Sequence, residues 1–216
     1  MSIRIRARAV LLDMDGTLVD STAVVERIWS EWATDHDLAS AEVLKVVHGR
    51  QGHESMALLL PDRPHRQNLA ENQIMLERET AEVEGIVAIA GARALLESIA
   101  RLPHALVTSA PRQLAWARMT TAGLTMPAVA VTAEDVSASK PDPEGFTAAA
   151  ATLGVPARTC VAFEDSAAGI TAARRAGMRV VGVGRTAAGH RADWTVPDLS
   201  GIQISADSLE LTITIS

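Results

Sequence analysis

LLDMDGTLVDS (residues 11–21) leaves an apolar run and sets Asp13 and Asp15 two positions apart, followed at once by Gly16. A buried strand has no use for two carboxylates so close together at its end, so the stretch reads as the end of a strand with functional acids on the loop beyond it. The same kind of run recurs along the chain as ARAVLLD (7–13), HALVT (104–108), AVAVT (128–132), TCVAFE (159–164) and RVVGV (179–183). Helical periodicity fills the gaps, as in ARALLESIARL (92–102) and PEGFTAAAATLG (143–154). Strands apolar on both faces that alternate with helices predict an α/β fold with a Rossmann-like core and a mainly parallel sheet. Gly154 and Gly177 are placed to end two of the helices.

One segment does not alternate. Between Ser21 and Glu84 the apolar residues recur at helical spacing, with Val24, Ile28 and Trp32 on one stripe and Leu69, Ile74 and Leu76 on another. HGRQGH (48–53) and PDRP (61–64) punctuate it. The expected organisation is a catalytic core formed by 1–19 and 86–216, interrupted by an all-α cap of about four helices at 20–85. Asp20 and Ser21 are read as N-caps of the first cap helix. The tail SLELTITIS puts Leu209, Leu211, Ile213 and Ile215 on one face, which predicts a half-buried edge strand.

Composition narrows the function. The net charge of −6, the absence of any basic run and the lack of Tyr remove the electrostatic and stacking drivers of nucleic-acid binding. No stretch approaches the roughly 20 apolar residues of a membrane span, and the N-terminal apolar run is too short for a signal sequence. The single Cys160 sits in an apolar run and reads as a small core residue. The expectation is a cytoplasmic protein, a monomer or weak dimer, that binds neither nucleic acid nor membrane.

Polar residues cluster just after the predicted strands: Asp13 and Asp15, then Thr108 and Ser109, then Glu164 and Asp165, with Lys140 in the SKPDP loop. In open α/β sheets the crevice beyond the carboxyl ends of the strands is where ligands bind. Crowded carboxylates need a cation, and oxygen-only ligands favour a hard ion such as Mg²⁺. A lysine and a hydroxyl beside that ion suit a phosphate, and a carboxylate can attack phosphorus. The set points to phosphoryl transfer.

DMDGTLVDS, LVTSA, SKPDP and FEDSAAG, in that order, resemble the four motifs of the haloacid dehalogenase superfamily. The helical insert matches the position of that family's small cap. VERIWSEWATDHDL…EVLKVVHGR and ETAEVEGIVAIAGA look closest to its sugar-phosphate phosphatases, near the glycerol-phosphate and 2-deoxyglucose-phosphate enzymes. The resemblance implies a Mg²⁺-dependent phosphomonoesterase for a small sugar or polyol phosphate. Asp13 would be the nucleophile that carries an aspartyl-phosphate, and Asp15 the general acid and base. Thr108, Ser109 and Lys140 would hold the phosphate. Mg²⁺ would be bound by Asp13, the Asp15 main-chain oxygen and Asp165, with Glu164 acting through water or as a further ligand. In the cap, Arg50 is a candidate substrate contact, with His48, Gln51 and Glu26 behind it.

Departures within the superfamily are informative. Dehalogenases lack the acid found here at Asp15. Phosphonatases use a cap lysine, whereas the only lysine of the insert, Lys45, reads as exposed. Mutases of the β-phosphoglucomutase type carry a cap histidine where Val25 stands. Such a mutase, or a phospho-metabolite-binding protein without turnover, is the alternative. The remaining histidines, His36 included, read as surface or turn residues, and Glu134 and Asp135 as caps flanking the Lys140 loop.

Overall fold

The computed structural model describes residues 2–207 and 210–216. The chain begins with strands β1 (Ile3–Ala7), β2 (Ala9–Leu12) and the short β3 (Val19–Asp20). Four helices follow, α1 (Thr22–Asp35), α2 (Ser40–Val47), α3 (Gly52–Leu59) and α4 (His65–Ala81). After β4 (Val87–Ala88) the alternation resumes with α5 (Ala92–Ile99), β5 (His104–Val107), α6 (Arg112–Thr121), β6 (Ala130–Val131) and α7 (Glu144–Thr152). The last elements are β7 (Cys160–Glu164), α8 (Ala167–Arg175), β8 (Arg179–Val183), β9 (Trp194–Val196), β10 (Ile202–Asp207) and β11 (Glu210–Ile215).

Six strands form a parallel sheet in the order β6-β5-β2-β7-β8-β9. β2 lies between β5 and β7, with Leu11 opposite both Ala105 and Ala162. The order reverses at β2, so the crevice beyond its carboxyl end is the topological switch point of the sheet. Both faces are covered: Val10, Leu12, Leu106 and Phe163 belong to one apolar cluster, and Ala9, Leu11, Ala105, Phe146 and Cys160 to the other. Alternate side chains of one strand feed opposite faces, which explains the unbroken apolar runs in the sequence. The expected α/β fold with a parallel sheet and inserted helices is borne out. None of the described helices is long and apolar enough to cross a membrane.

The two ends of the inserted helical segment are tied together. β3 and β4 pair antiparallel, Val19 opposite Ala88 and Asp20 opposite Val87. Within the segment Val24, Ile28 and Trp32 are buried as expected. The stripe expected on α4 is not the buried one. Leu69 and Ile74 are exposed; of the three only Leu76 turns inward, half-buried against the core, and the buried face carries Asn68, Met75 and Glu79. That face is polar because part of it borders a cavity rather than a core, which the apolar pattern could not indicate.

The tail also differs from expectation. β11 is the middle strand of a three-stranded antiparallel sheet, β1-β11-β10, with Ile5 and Ile204 both opposite Ile213. Leu211, Ile213 and Ile215 are buried, while Leu209 lies outside the described residues. β1 reads IRIRA, a period-two pattern that buries Ile5 and Ala7 and leaves its arginines exposed. It supplies the second neighbour that makes β11 central.

Candidate active site

Asp13 stands one residue beyond β2, its N–H donating to the Phe163 carbonyl at 3.0 Å and so extending the ladder to β7. The chain then turns back sharply. Thr17, Leu18 and Val19 all donate backbone N–H groups to the Met14 carbonyl, and Gly16 donates to Val19. Gly16 has φ +81°, and a Cβ there would lie 2.1 Å from Asp165 Oδ2, so only glycine lets this turn meet the loop after β7. The sequence DMDG thus delivers one carboxylate to the sheet axis and leaves the next on the rim.

Lys140 reaches the centre from the loop before α7. Its Nζ donates to Asp13 Oδ1 at 2.5 Å, Glu164 Oε1 at 2.6 Å and the Val107 carbonyl at 3.0 Å. All three charged side chains are buried. Burial pulls Lys140 down, and the two carboxylates outweigh it and hold the ammonium above its ordinary value. Burial pushes Asp13 up to about 7, with Glu164 adding to the rise and Lys140 opposing it. Asp165 is raised for the same reasons, first burial and then the neighbouring charges of Asp13 and Glu164.

Carboxylate oxygens of Asp13, Glu164 and Asp165 lie within 4.8 Å of one another, a buried all-oxygen cluster that could hold a metal ion. One lysine cannot neutralise three acids, so the donor set fits a small hard cation. Glu164 is the member with both oxygens engaged. Its Oε1 takes the Lys140 ammonium, and its Oε2 accepts from the Ser166 N–H and hydroxyl at 3.0 Å each.

Thr108 and Ser109 follow β5. Thr108 is buried, with its Oγ1 accepting from the Ala110 N–H at 3.1 Å. Ser109 Oγ donates to the Gly49 carbonyl in the α2–α3 loop at 3.0 Å. Asp13, Asp15, Thr108, Ser109 and Asp165 all line a cavity of about 400 Å³ between the sheet end and the helical segment. Glu26, His48, Arg50 and Asn72 line its other side. Gln51 does not line it, and Lys45 is exposed and paired with Glu42. Val25 is also part of the lining.

Asp15 has partners that sequence reasoning missed. Ser21 is not a side-chain cap of α1; its Oγ donates to Asp15 Oδ1 at 2.7 Å. Arg118 on α6 donates Nη1 to Asp15 Oδ2 at 2.8 Å and Nη2 to Glu79 Oε2 on α4 at 2.6 Å. A signal for Arg118 existed: it falls on the buried stripe of α6 with Leu114, Ala115 and Met119, where an unpaired charge would be untenable. His36 stands in the turn that ends α1, as expected, but not free on the surface. It is half-buried, stacked on Trp32 at 4.3 Å and 3.4 Å from Glu71. Asp135 and Glu134 do cap: Asp135 accepts from the Thr132 N–H, and Glu134 from the Arg112 N–H at the start of α6.

Residues 7–177 match the haloacid dehalogenase-like hydrolase family. The chain belongs to that family. It is therefore an enzyme, and the expected likeness to the family's sugar-phosphate phosphatases is borne out by named relatives. Hexitol phosphatase A of Escherichia coli K12 is 39% identical over 212 residues, covering 97% of this chain and 95% of the relative. 2-Deoxyglucose-6-phosphate phosphatase 2 of Saccharomyces cerevisiae is 31% identical over 194 residues, covering 80% and 78%. Among solved structures, a hydrolase from Pseudomonas syringae superposes with a TM-score of 0.78 at 25% identity, covering 89% of this chain and 94% of that one.

Proposed function

We propose that this haloacid dehalogenase-like hydrolase is a phosphomonoesterase for small sugar or polyol phosphates, working through an aspartyl-phosphate on Asp13. The observation that carries the reading is that two carboxylates two residues apart, facing one cavity, are held differently. Asp13 is gripped by Lys140 in the sheet axis, and Asp15 is held at the rim by Ser21 and Arg118. That difference supports Asp13 as the nucleophile and Asp15 as the group that moves the proton.

In the first half, an Asp13 oxygen bonds to phosphorus as the ester P–O bond breaks, and the departing alkoxide takes the Asp15 carboxyl proton. In the second, water attacks phosphorus, the Asp13–phosphate bond breaks, and the Asp15 carboxylate takes the proton from water. Thr108 and the Ser109 backbone N–H hold the phosphoryl oxygens, and Lys140, whose three N–H groups go to Asp13, Glu164 and Val107, balances charge behind them. The carboxylates of Asp13 and Asp165 and the Asp15 main-chain oxygen would hold Mg²⁺, which would supply charge neutralisation for an anionic substrate. Glu164 is assigned to Lys140, because both of its oxygens are taken. Residues 20–85 act as a cap that excludes bulk water. Its Glu26, His48, Arg50 and Asn72 offer hydrogen-bonding groups to a polyhydroxyl leaving group. The names of the relatives above support that substrate class, and Val25, at the position compared with the mutase histidine, has no group to move a proton.

Inorganic phosphate release from hexitol phosphates, glycerol phosphate and 2-deoxyglucose-6-phosphate, with Mg²⁺ present, tests the reading. Release is expected, and it is expected to vanish in Asp13→Asn and on chelation of the metal. Isomerised sugar phosphate without phosphate release, or binding without either product, would overturn it.

A further inference from the structure

Arg118 is a core residue that touches the inserted helical segment. It sits on α6, 3% exposed, with one guanidinium nitrogen on Asp15 and the other on Glu79 of α4. Its Nε is buried without a hydrogen-bond partner among the described residues, so the two carboxylates set its place at the expense of that donor. Asp15 and Glu79 have no direct hydrogen bond among those found between described residues, and the planar fork of the guanidinium spans them. Ser21 holds the other oxygen of Asp15, from the residue where the helical segment begins. Both oxygens of Asp15 are thus held by groups at the border of core and insert, and one of the two holders is itself gripped by the insert.

We propose that Arg118 is a positioning residue: it sets the orientation of the Asp15 carboxyl, and through Glu79 it makes that orientation depend on the docking of α4. The inference rests on the phosphomonoesterase reading and goes beyond it, because it concerns a residue outside the four motifs. With α4 docked, Glu79 fixes one end of the fork, and the other end presents Asp15 to the ester oxygen. With α4 displaced, the fork loses one of its two anchors and Asp15 turns more freely. Proton delivery to the leaving alkoxide is thereby reserved for the docked state. A purely structural ion pair would stabilise the interface without favouring one class of leaving group.

That difference is measurable. An alkyl phosphate needs a proton on its departing oxygen, whereas p-nitrophenyl phosphate releases a stable phenolate without one. kcat/KM reports steps up to phosphoryl transfer onto Asp13, so the ratio of kcat/KM for glycerol phosphate to that for p-nitrophenyl phosphate isolates proton delivery. In Arg118→Met the ratio is expected to fall by at least about tenfold, in the direction of Asp15→Asn. Arg118→Lys is expected to recover part of it, and Glu79→Gln, the mildest change and the one that keeps the fold if the others do not, is expected to shift it the same way by a smaller factor. Equal losses on both esters, or no loss, would assign Arg118 a structural role and overturn the proposal while leaving the phosphomonoesterase standing. A wild-type enzyme that releases phosphate from neither ester overturns both.

Discussion

Asp13 and Asp15 are the same residue type two positions apart, and their neighbours make them different groups. Asp13 is buried and shares one ammonium with Glu164; Asp15 is about one-third exposed, on a hydroxyl and a guanidinium. Lys140 is the residue on which the buried side depends, because it alone among the described cations balances both Asp13 and Glu164. Lys140→Met strands two carboxylates away from water. A loss of about 3–5 kcal/mol in unfolding free energy is expected in metal-free buffer, from urea titration, and phosphatase activity should fall with it. Excess Mg²⁺ should restore part of the stability and little of the activity. Asp13, Asp15 and Asp165 could be picked out in the sequence because each sits in a short motif beside a strand, and Lys140 because SKPDP is a short motif of its own. Arg118 shows only as a charge on the buried stripe of α6; its partners lie 103 and 39 residues away and no local pattern names them.

At the scale of elements, α1 and α4 are joined by a polar contact as well as an apolar one. Glu71 on α4 accepts from Trp32 Nε1 on α1 at 3.0 Å and pairs with Arg63. Burial pushes Glu71 up, but the hydrogen bonds from Arg63 and Trp32 outweigh it and hold it below its ordinary value. A folded-state value below the unfolded one contributes stability that is present above the unfolded value of about 4.5 and is lost as pH falls through the folded value. Glu71→Gln should therefore cost about 1 kcal/mol at pH 7 and progressively less on acidification. Denaturant titrations of both proteins across that range would show the two converging; a pH-independent gap would sink the assignment. The helices themselves were legible from periodicity. The inward face of α4 was not, because a face that borders a cavity keeps polar residues such as Asn72 and Glu79.

Across the whole molecule, polar contacts join the inserted helical segment to the core among the described residues, including Ser109 with Gly49, Ser139 with Glu54, Arg118 with Glu79 and Ser21 with Asp15. Gly49 makes the first approach possible. Its φ is +78°, and a Cβ there would lie 2.2 Å from Ser166 Oγ. Gly49→Ala adds left-handed strain of about 1–2 kcal/mol together with that clash. Because the strain is relieved when the loop withdraws, kcat/KM for a sugar phosphate should fall roughly tenfold. The melting temperature should move by only a few degrees, as about 1 kcal/mol does in a chain of this size. A collapse of stability with unchanged kcat/KM in the folded fraction would place the strain elsewhere.

The sequence by itself determined the parallel α/β frame, the helical insertion and the acids beyond the strands, because each depends on a period or a spacing of a few residues. The switch point at β2 then gathers those loops without further instruction, since parallel strands end on the same side. Only the tertiary structure decided which groups hold Asp15, that β11 is central, and that α4 turns a polar face inward. Those depend on where one element's side chains land on another, and packing between distant segments leaves no periodic trace in the chain.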